Sequence, residues 1–159
     1  MPPRSAPGRS RPLPSIPTFR KEDWPFHWVT RTSGRYYQVI ERVVKPLGLD
    51  VPEWRALNCL DEEIGVSVSE IADACIIKLN TTTKIIQRML AEELVVCSPR
   101  ATDARVTEVR LTEKGRALAR AARARTDALF AHAFDGIDRG EVAIMNRVLE
   151  RLFERLDSY

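Results

Sequence analysis

The sequence predicts a mostly α-helical fold with one small β-hairpin, an α+β arrangement. In several segments apolar residues recur every three or four positions, which is the period of an amphipathic helix. One segment, residues 95–111, instead carries two β-prone runs around a loop that contains Pro99 and Thr102, as expected for a hairpin. With 159 residues, 44% of them hydrophobic, the chain has the size of one globular domain with a substantial core.

Residues 1–23 are predicted to form a basic, proline-rich arm rather than a folded element. The first 21 residues hold Arg4, Arg9, Arg11, Arg20 and Lys21 but no acidic residue. The arm lacks the apolar core of a signal peptide, and no stretch of roughly 18 apolar residues follows, so we expect a cytoplasmic protein without a membrane span.

The residues that perform chemistry in common enzymes and metal sites are sparse. Three cysteines without a CxxC spacing and two histidines indicate reduced thiols, and they indicate neither a metal site nor a cofactor. No nucleophile elbow, phosphate loop or HExxH motif occurs, so we do not expect an enzyme or catalytic residues.

The positions of proline and serine predict the bounds of the first three helices. A helix is predicted from Phe26 to Val44, because Pro46 disfavours helical geometry in the residue before it. A linker then leads to a second helix that begins at Val51, with Pro52 in its first turn. A short third helix follows, capped by either Ser67 or Ser69.

The fourth helix, NTTTKIIQRMLAEELV, is predicted to begin with Asn80 as its N-cap. One face is apolar, whereas the other carries amides, hydroxyls and cations, which suit base edges in a major groove wide enough for one helix. An ordinary solvated surface is the alternative. The candidate DNA-reading residues are Asn80, Thr81, Thr83, Lys84, Gln87 and Arg88.

The hairpin is predicted to pair Val95–Cys97 with Val106–Leu111 beside this helix-turn-helix, as a wing. A guanidinium suits a narrow minor groove, and hydroxyls or further guanidiniums suit phosphates. Arg105 is assigned to the groove, with Asp103 as its orienting partner. The candidate wing contacts are Ser98, Arg100, Asp103 and Arg105.

After the wing, Thr112 can cap a long helix that begins at Glu113, and Asp138 with Glu141 has the spacing of a capping box for the last helix. The last helix carries apolar residues at alternating threes and fours, which is typical of a coiled-coil seam. These residues are Val142, Met145, Leu149, Leu152 and Leu156.

An Asp-x-Arg pair, an alternating strand and a Leu-Thr-x-x-Gly exit resemble the wing of the MarR family of bacterial winged-helix transcription regulators. The matching residues are Asp103, Arg105, Leu111, Thr112 and Gly115. The resemblance covers roughly residues 26–159. The chain departs from the family at Glu93, where glycine is frequent, and at Ala104, where a second basic residue is frequent.

The resemblance implies a homodimer that binds pseudo-palindromic double-stranded DNA, with dimerisation helices in residues 24–50 and 113–159 and a winged helix-turn-helix in residues 51–112. It further implies a repressor released by a small molecule, often an aromatic acid or a derivative. The implied ligand residues, which can equally be core or dimer contacts, are His27, Trp28, Arg31, Tyr36, Trp54 and Arg55.

Two other functions stay open. A winged helix can serve as a protein-assembly or RNA-binding module, because fold does not determine function. Within the family, a thiol such as Cys97 on the wing can alternatively sense oxidants.

Overall fold

The structure is a computed structural model that describes residues 20–62 and 65–159. The predicted basic arm therefore lies outside the described residues, apart from residues 20–23, which include a 3-10 turn at Lys21–Asp23. The described residues divide into two compact units, residues 20–39 and the described part of residues 40–159.

Helices dominate, and the predicted fold class is confirmed. The helices are α1 (Pro25–Val44), α2 (Val51–Glu62), α3 (Val68–Ala74), α4 (Leu79–Ala91), α5 (Glu113–Ala133) and α6 (Arg139–Asp157), and the strands are β1 (Val66–Ser67), β2 (Val95–Arg100) and β3 (Asp103–Leu111). The predicted linker after α1 includes a second 3-10 turn, Lys45–Leu47. None of the helices in the described ranges is both long and apolar enough to span a membrane.

Side-chain caps explain where α3, α5 and α6 begin. Ser67 caps α3 in a reciprocal capping box with Glu70, Thr112 caps α5, and Asp138 caps α6 in a second capping box. These positions agree with the predictions. Such caps satisfy backbone N–H groups that have no partner inside the helix.

The predicted N-cap of α4 is wrong. The cap residue is Lys78, whose backbone is extended (ψ 138°) and whose side chain makes no capping bond. Asn80 is instead the second residue of the helix. The backbone becomes helical two residues earlier than predicted because the turn from α3 to α4 is short.

The sheet has three antiparallel strands in the order β1-β3-β2. The hairpin is longer than predicted: Pro99 pairs with Thr107, a register shift follows at Pro99/Arg100, and the turn occupies residues 101–102. β1 was not predicted; it is two residues long, and its Val66 pairs with Val109.

Helices α3 and α4 both end in a left-handed residue that is not glycine. These residues are Ile76 (φ 49°) and Glu93 (φ 58°). After α4, the N–H of Leu94 donates to the carbonyl of Met89 at 2.8 Å and the N–H of Glu93 to that of Leu90 at 3.0 Å, which is a Schellman motif. The usual helix exit is therefore retained at Glu93 without glycine.

The Leu-Thr-x-x-Gly exit of the wing is explained by close backbone contact. Leu111 is buried, and the N–H of Thr112 donates to the carbonyl of Leu94 at 3.0 Å. A Cβ at Gly115 would collide with the same carbonyl oxygen. The start of α5 therefore packs against the base of the wing only because residue 115 lacks a side chain.

Candidate nucleic-acid interface and ligand residues

The exposed face of α4 carries all six predicted reading residues. The opposite face is buried through Thr82, Ile85, Ile86 and Met89. Among the described residues, the side chains of Lys84 and Gln87 take part in no hydrogen bond or ion pair. Their amide and ammonium groups are thus available to an external partner.

A groove of about 640 Å³ lies between the start of α2 and the exposed face of α4. Arg88 crosses it: its guanidinium donates to Asp50 at 2.9 Å and lies 3.2 Å from Glu53. Asp50 and Glu53 also accept each other's backbone N–H groups, at 2.8 and 3.0 Å. Arg88 therefore ties α4 to the start of α2, and its predicted DNA contact stays a prediction.

The predicted pairing of Asp103 with Arg105 is present at the wing tip. The Nε and Nη2 atoms of Arg105 donate to the two carboxylate oxygens of Asp103, each at 3.0 Å. These bonds lower the pKa of Asp103, so the pair stays ionised. The Arg105 side chain is 90% exposed, so an oriented guanidinium projects into solvent.

Arg100 is held from three sides, and its predicted phosphate contact stays a prediction. It donates to Glu70 at 2.7 Å, to Glu108 at 2.9 Å and to the carbonyl of Gly65 at 3.3 Å. Its hydrogen bond is the main reason that the pKa of Glu70 falls to about 2. Arg100 thus joins the wing to α3 and β1, while Ser98 stays exposed on β2.

The predicted ligand residues of the first unit are four side chains of α1. The rings of His27 and Trp28 meet edge to face at 5.1 Å, and the Trp28 indole donates to the carbonyl of Glu22 at 3.0 Å. Tyr36 lies 5.2 Å from the ring of the next residue, and Arg31 is exposed.

The two predicted ligand residues of the second unit, Trp54 and Arg55, occupy different environments. Trp54 is 5% exposed and belongs to the core. The guanidinium of Arg55 donates to the carbonyl of Cys75, the residue that ends α3. That all six residues line one pocket stays a prediction.

The thiols also differ in environment. A hydrogen bond with Cys59 lowers the pKa of Cys75 to about 7. Burial raises this pKa, whereas the nearby charge of Arg55 lowers it further. Cys97 is exposed on β2, but partial desolvation of its sulfur raises its pKa. No cluster suited to a metal ion occurs in the described part of the chain.

Sequence reasoning missed the carboxylates that anchor the arginines. Asp50 with Glu53 and Ser67 with Glu70 both have the spacing of a capping box, so a search for that motif would have placed acids at the starts of α2 and α3. Their pairing with Arg88 and Arg100 joins residues 30 to 38 positions apart, for which the sequence holds no periodic signal.

Comparison with known proteins supports one family. A sequence model of the MarR family matches residues 49–107. The HTH-type transcriptional repressor IacR of Pseudomonas putida is 43% identical over 151 residues, which is 95% of this chain and 90% of that protein. CouR of Rhodococcus jostii RHA1, solved bound to p-coumaroyl-CoA, superposes with a TM-score of 0.78 at 25% identity, covering 84% of this chain and 94% of that one.

A second solved structure shares the fold at lower identity. It is a MarR family regulator from Silicibacter pomeroyi DSS with a TM-score of 0.83 at 19% identity, covering 92% of this chain and all of that one (100%). With the winged helix in place and the identity to the Pseudomonas putida protein spanning nearly the whole chain, the protein belongs to the MarR family of transcriptional regulators, whose members are regulators and not enzymes.

Proposed function

We propose that the chain is a homodimeric, sequence-specific repressor that binds pseudo-palindromic double-stranded DNA and is released by a small molecule. The observation that carries the proposal is the pairing of two exposed elements: the polar face of α4 and the oriented guanidinium of Arg105. A reading helix and a wing cation are the two contacts that a winged helix needs for a major groove and an adjacent minor groove.

The ion pairs of Arg88 and Arg100 fix α4 and the wing relative to the rest of the protomer. Arg88 ties α4 to α2, and Arg100 ties the wing to α3 and β1. A rigid reading surface loses less conformational entropy on binding than a mobile one. We assign base contacts to Lys84 and Gln87. Further contacts with DNA are assigned to Asn80, Thr81, Thr83 and Ser98.

Dimerisation is supported by the apolar face of α6. This 19-residue helix has no buried residue in the protomer. Its exposed apolar side chains include three of the predicted seam positions, while the other two, Val142 and Leu152, are half-buried. The exposed set is Ile144, Met145, Val148, Leu149, Phe153 and Leu156. A continuous apolar stripe of this length marks an interface, here with a second copy through residues 24–50 and 113–159.

Repression and a ligand are supported by relatives. The 43% identical protein is named a transcriptional repressor, and CouR was solved with p-coumaroyl-CoA. A structure of Bordetella bronchiseptica BpsR, at 21% identity, concerns regulation of DNA binding by 6-hydroxynicotinic acid. The aromatic residues of α1 and the guanidiniums of Arg31 and Arg55 suit an aromatic anion, because arginine binds a carboxylate through two parallel hydrogen bonds.

Release needs a ligand that binds one state of the dimer better than the other. Arg55 provides a physical route, since it contacts the carbonyl of Cys75 immediately before the turn into α4. A ligand that draws the guanidinium away removes this contact. The end of α3 and the spacing of the two reading helices then change, so that they no longer match successive major grooves.

The first test is selection of fragments of the source genome by the purified protein at near-physiological salt. The expected result is a pseudo-palindrome bound at least about a thousandfold more tightly than random duplex. Weak binding that depends only on salt would contradict sequence-specific recognition, and the assembly or RNA-binding function would then replace it.

Substitutions in the protein, tested on the selected operator, separate the contribution of the wing from that of α4. Arg105→Ala is expected to weaken binding to most duplexes, whereas Lys84→Ala and Gln87→Ala each relax preference at one base position by roughly 1–3 kcal/mol. Arg120→Ala, on the exposed surface of α5, is the matched control and should change neither the overall affinity for duplex DNA nor the base preference. Titration against a panel of single-base operator variants measures both effects, and an equal loss on all sequences for Gln87→Ala would contradict base reading.

A further inference from the structure

Two exposed apolar side chains flank the start of the reading helix. Ile76, in the turn between α3 and α4, is 70% exposed, and Leu79, the first residue of α4, is 54% exposed. Lys78, between them, is also exposed. Scattered exposed leucines are common in proteins, so exposure alone does not distinguish this pair.

The backbone of Ile76 distinguishes it. Its φ of 49° is left-handed, a conformation that is unfavourable for L-residues and rare for β-branched ones. The N–H of Ile76 donates to the backbone carbonyl of Asp73 at 3.0 Å and that of Ile77 to the backbone carbonyl of Ala72 at 2.9 Å, a Schellman motif that glycine would form without strain. The isolated protomer thus bears both strain and apolar exposure at one residue.

The position of the pair indicates what covers it. Leu79 lies one helical turn before Thr83, whose hydroxyl donates to the carbonyl of Leu79 at 2.9 Å, so the two residues share one side of α4. The N-terminal residues of a reading helix are those that approach base edges. An aliphatic side chain there can recognise the one apolar group that the major groove displays, the C5-methyl group of thymine.

We infer that Ile76 and Leu79 form an apolar contact with thymine methyl groups and thereby select A·T pairs near the start of α4. This inference rests on the proposed function, because it concerns the same DNA site. Lys78, in the same turn, and Lys84, on the same helix, are both exposed and carry positive charge, which complements the negative charge of DNA. DNA is therefore the occupant that the surrounding charges favour.

The test replaces each thymine of the selected operator in turn with uracil, which lacks only the methyl group. Affinity is measured by fluorescence anisotropy for the full-length protein and for Leu79→Ala, Ile76→Gly and Leu90→Ala. Leu90 lies at the opposite end of α4 and is 37% exposed, so it is the matched control. Thermal unfolding of each variant establishes that the fold is intact, and Ile76→Gly should unfold at a higher temperature because strain is removed.

We expect that replacing at least one thymine in each half-site with uracil weakens operator binding about fourfold, the change expected for one buried methyl group. That sensitivity should disappear in Leu79→Ala or Ile76→Gly and persist in Leu90→Ala. Tight operator binding with no effect of uracil, or unchanged sensitivity in both variants, would overturn the inference and leave the proposed function standing. Absence of any specific operator would refute both, and dissociation of a dimer by Ile76→Gly or Leu79→Ala would assign the pair to a protein contact instead.

Discussion

Three arginines of the candidate interface are held by carboxylates, and their exposure separates their roles. The side chain of Arg105 is 90% exposed, that of Arg88 is 53% exposed and that of Arg100 is 26% exposed. A guanidinium that stays in water keeps its capacity for a second partner, whereas one enclosed by two carboxylates would have to leave both. Arg105 is thus the arginine that we propose contacts DNA, whereas Arg100 links the wing to the rest of the protomer.

Glu93 is strained in the same way as Ile76 but with a polar side chain. Replacing it with glycine should raise the free energy of unfolding by about 1 kcal/mol, because a left-handed L-residue costs roughly 1–2 kcal/mol and glycine loses part of that gain through backbone entropy. Urea unfolding at fixed protein concentration measures the change.

The adjacent residue provides the control for this prediction. Glu92 has a φ of −89°, so Glu92→Gly gains no relief of strain and should be destabilising by roughly 0.5–1 kcal/mol. Equal changes in the free energy of unfolding for Glu93→Gly and Glu92→Gly would contradict the assignment of strain to residue 93.

At the scale of elements, the Arg100 link makes the wing sensitive to acid. Its hydrogen bond holds the pKa of Glu70 at about 2, and Arg110 and Arg100 together lower the pKa of Glu108. A carboxylate with a depressed pKa contributes stability that is present above its ordinary value of 4.5 and is lost as pH falls through the folded pKa. The melting temperature should therefore fall between about pH 4.5 and pH 2.

Arg100→Met should lower the melting temperature at pH 7 and flatten this acid-dependent fall, because Glu70 loses its main partner. Arg120→Met is the control, since Arg120 pairs with Glu113 at 3.5 Å on an exposed helix surface. Thermal unfolding followed by circular dichroism from pH 7 to pH 2 makes the comparison. An acid-dependent fall as steep in Arg100→Met as in the unmodified protein would contradict the link.

The helices and the hairpin could be predicted because their signals are local: apolar periodicity, caps at Thr112 and Asp138, and a turn between β-prone runs. β1 could not be predicted, because two residues become a strand only by pairing with β3. The misplaced cap at Asn80 has the same origin, since the preceding turn decides where α4 begins. The exposed face of α4 was found, whereas the partners of Arg88 and Arg100 depend on contacts that only the folded chain brings together.

At the scale of the whole molecule, the proposed dimer interface on α6 would connect oligomeric state to DNA recognition. A two-fold dimer would place two reading helices about 34–36 Å apart, one turn of duplex DNA. A single winged helix contacts one half-site, so the affinity gained from a pseudo-palindrome depends on the pairing of protomers. Loss of the dimer should therefore weaken operator binding even though every DNA contact residue is unchanged.

Leu149→Glu places a charge within the apolar face of α6 and is expected to weaken dimerisation at least about a hundredfold, because an ionised side chain in an apolar interface costs several kcal/mol. Arg147→Glu, an exposed position that is not apolar, serves as the control. Sedimentation velocity at micromolar protein should show a monomer for Leu149→Glu and dimers for the control and the unmodified protein. Circular dichroism should retain the helical signal, since Leu149 is exposed in the protomer, and operator affinity should fall with the loss of the second half-site contact. A dimer that persists in Leu149→Glu would place the interface elsewhere than on α6, and a monomeric unmodified protein that still binds the palindrome tightly would refute a preformed dimer.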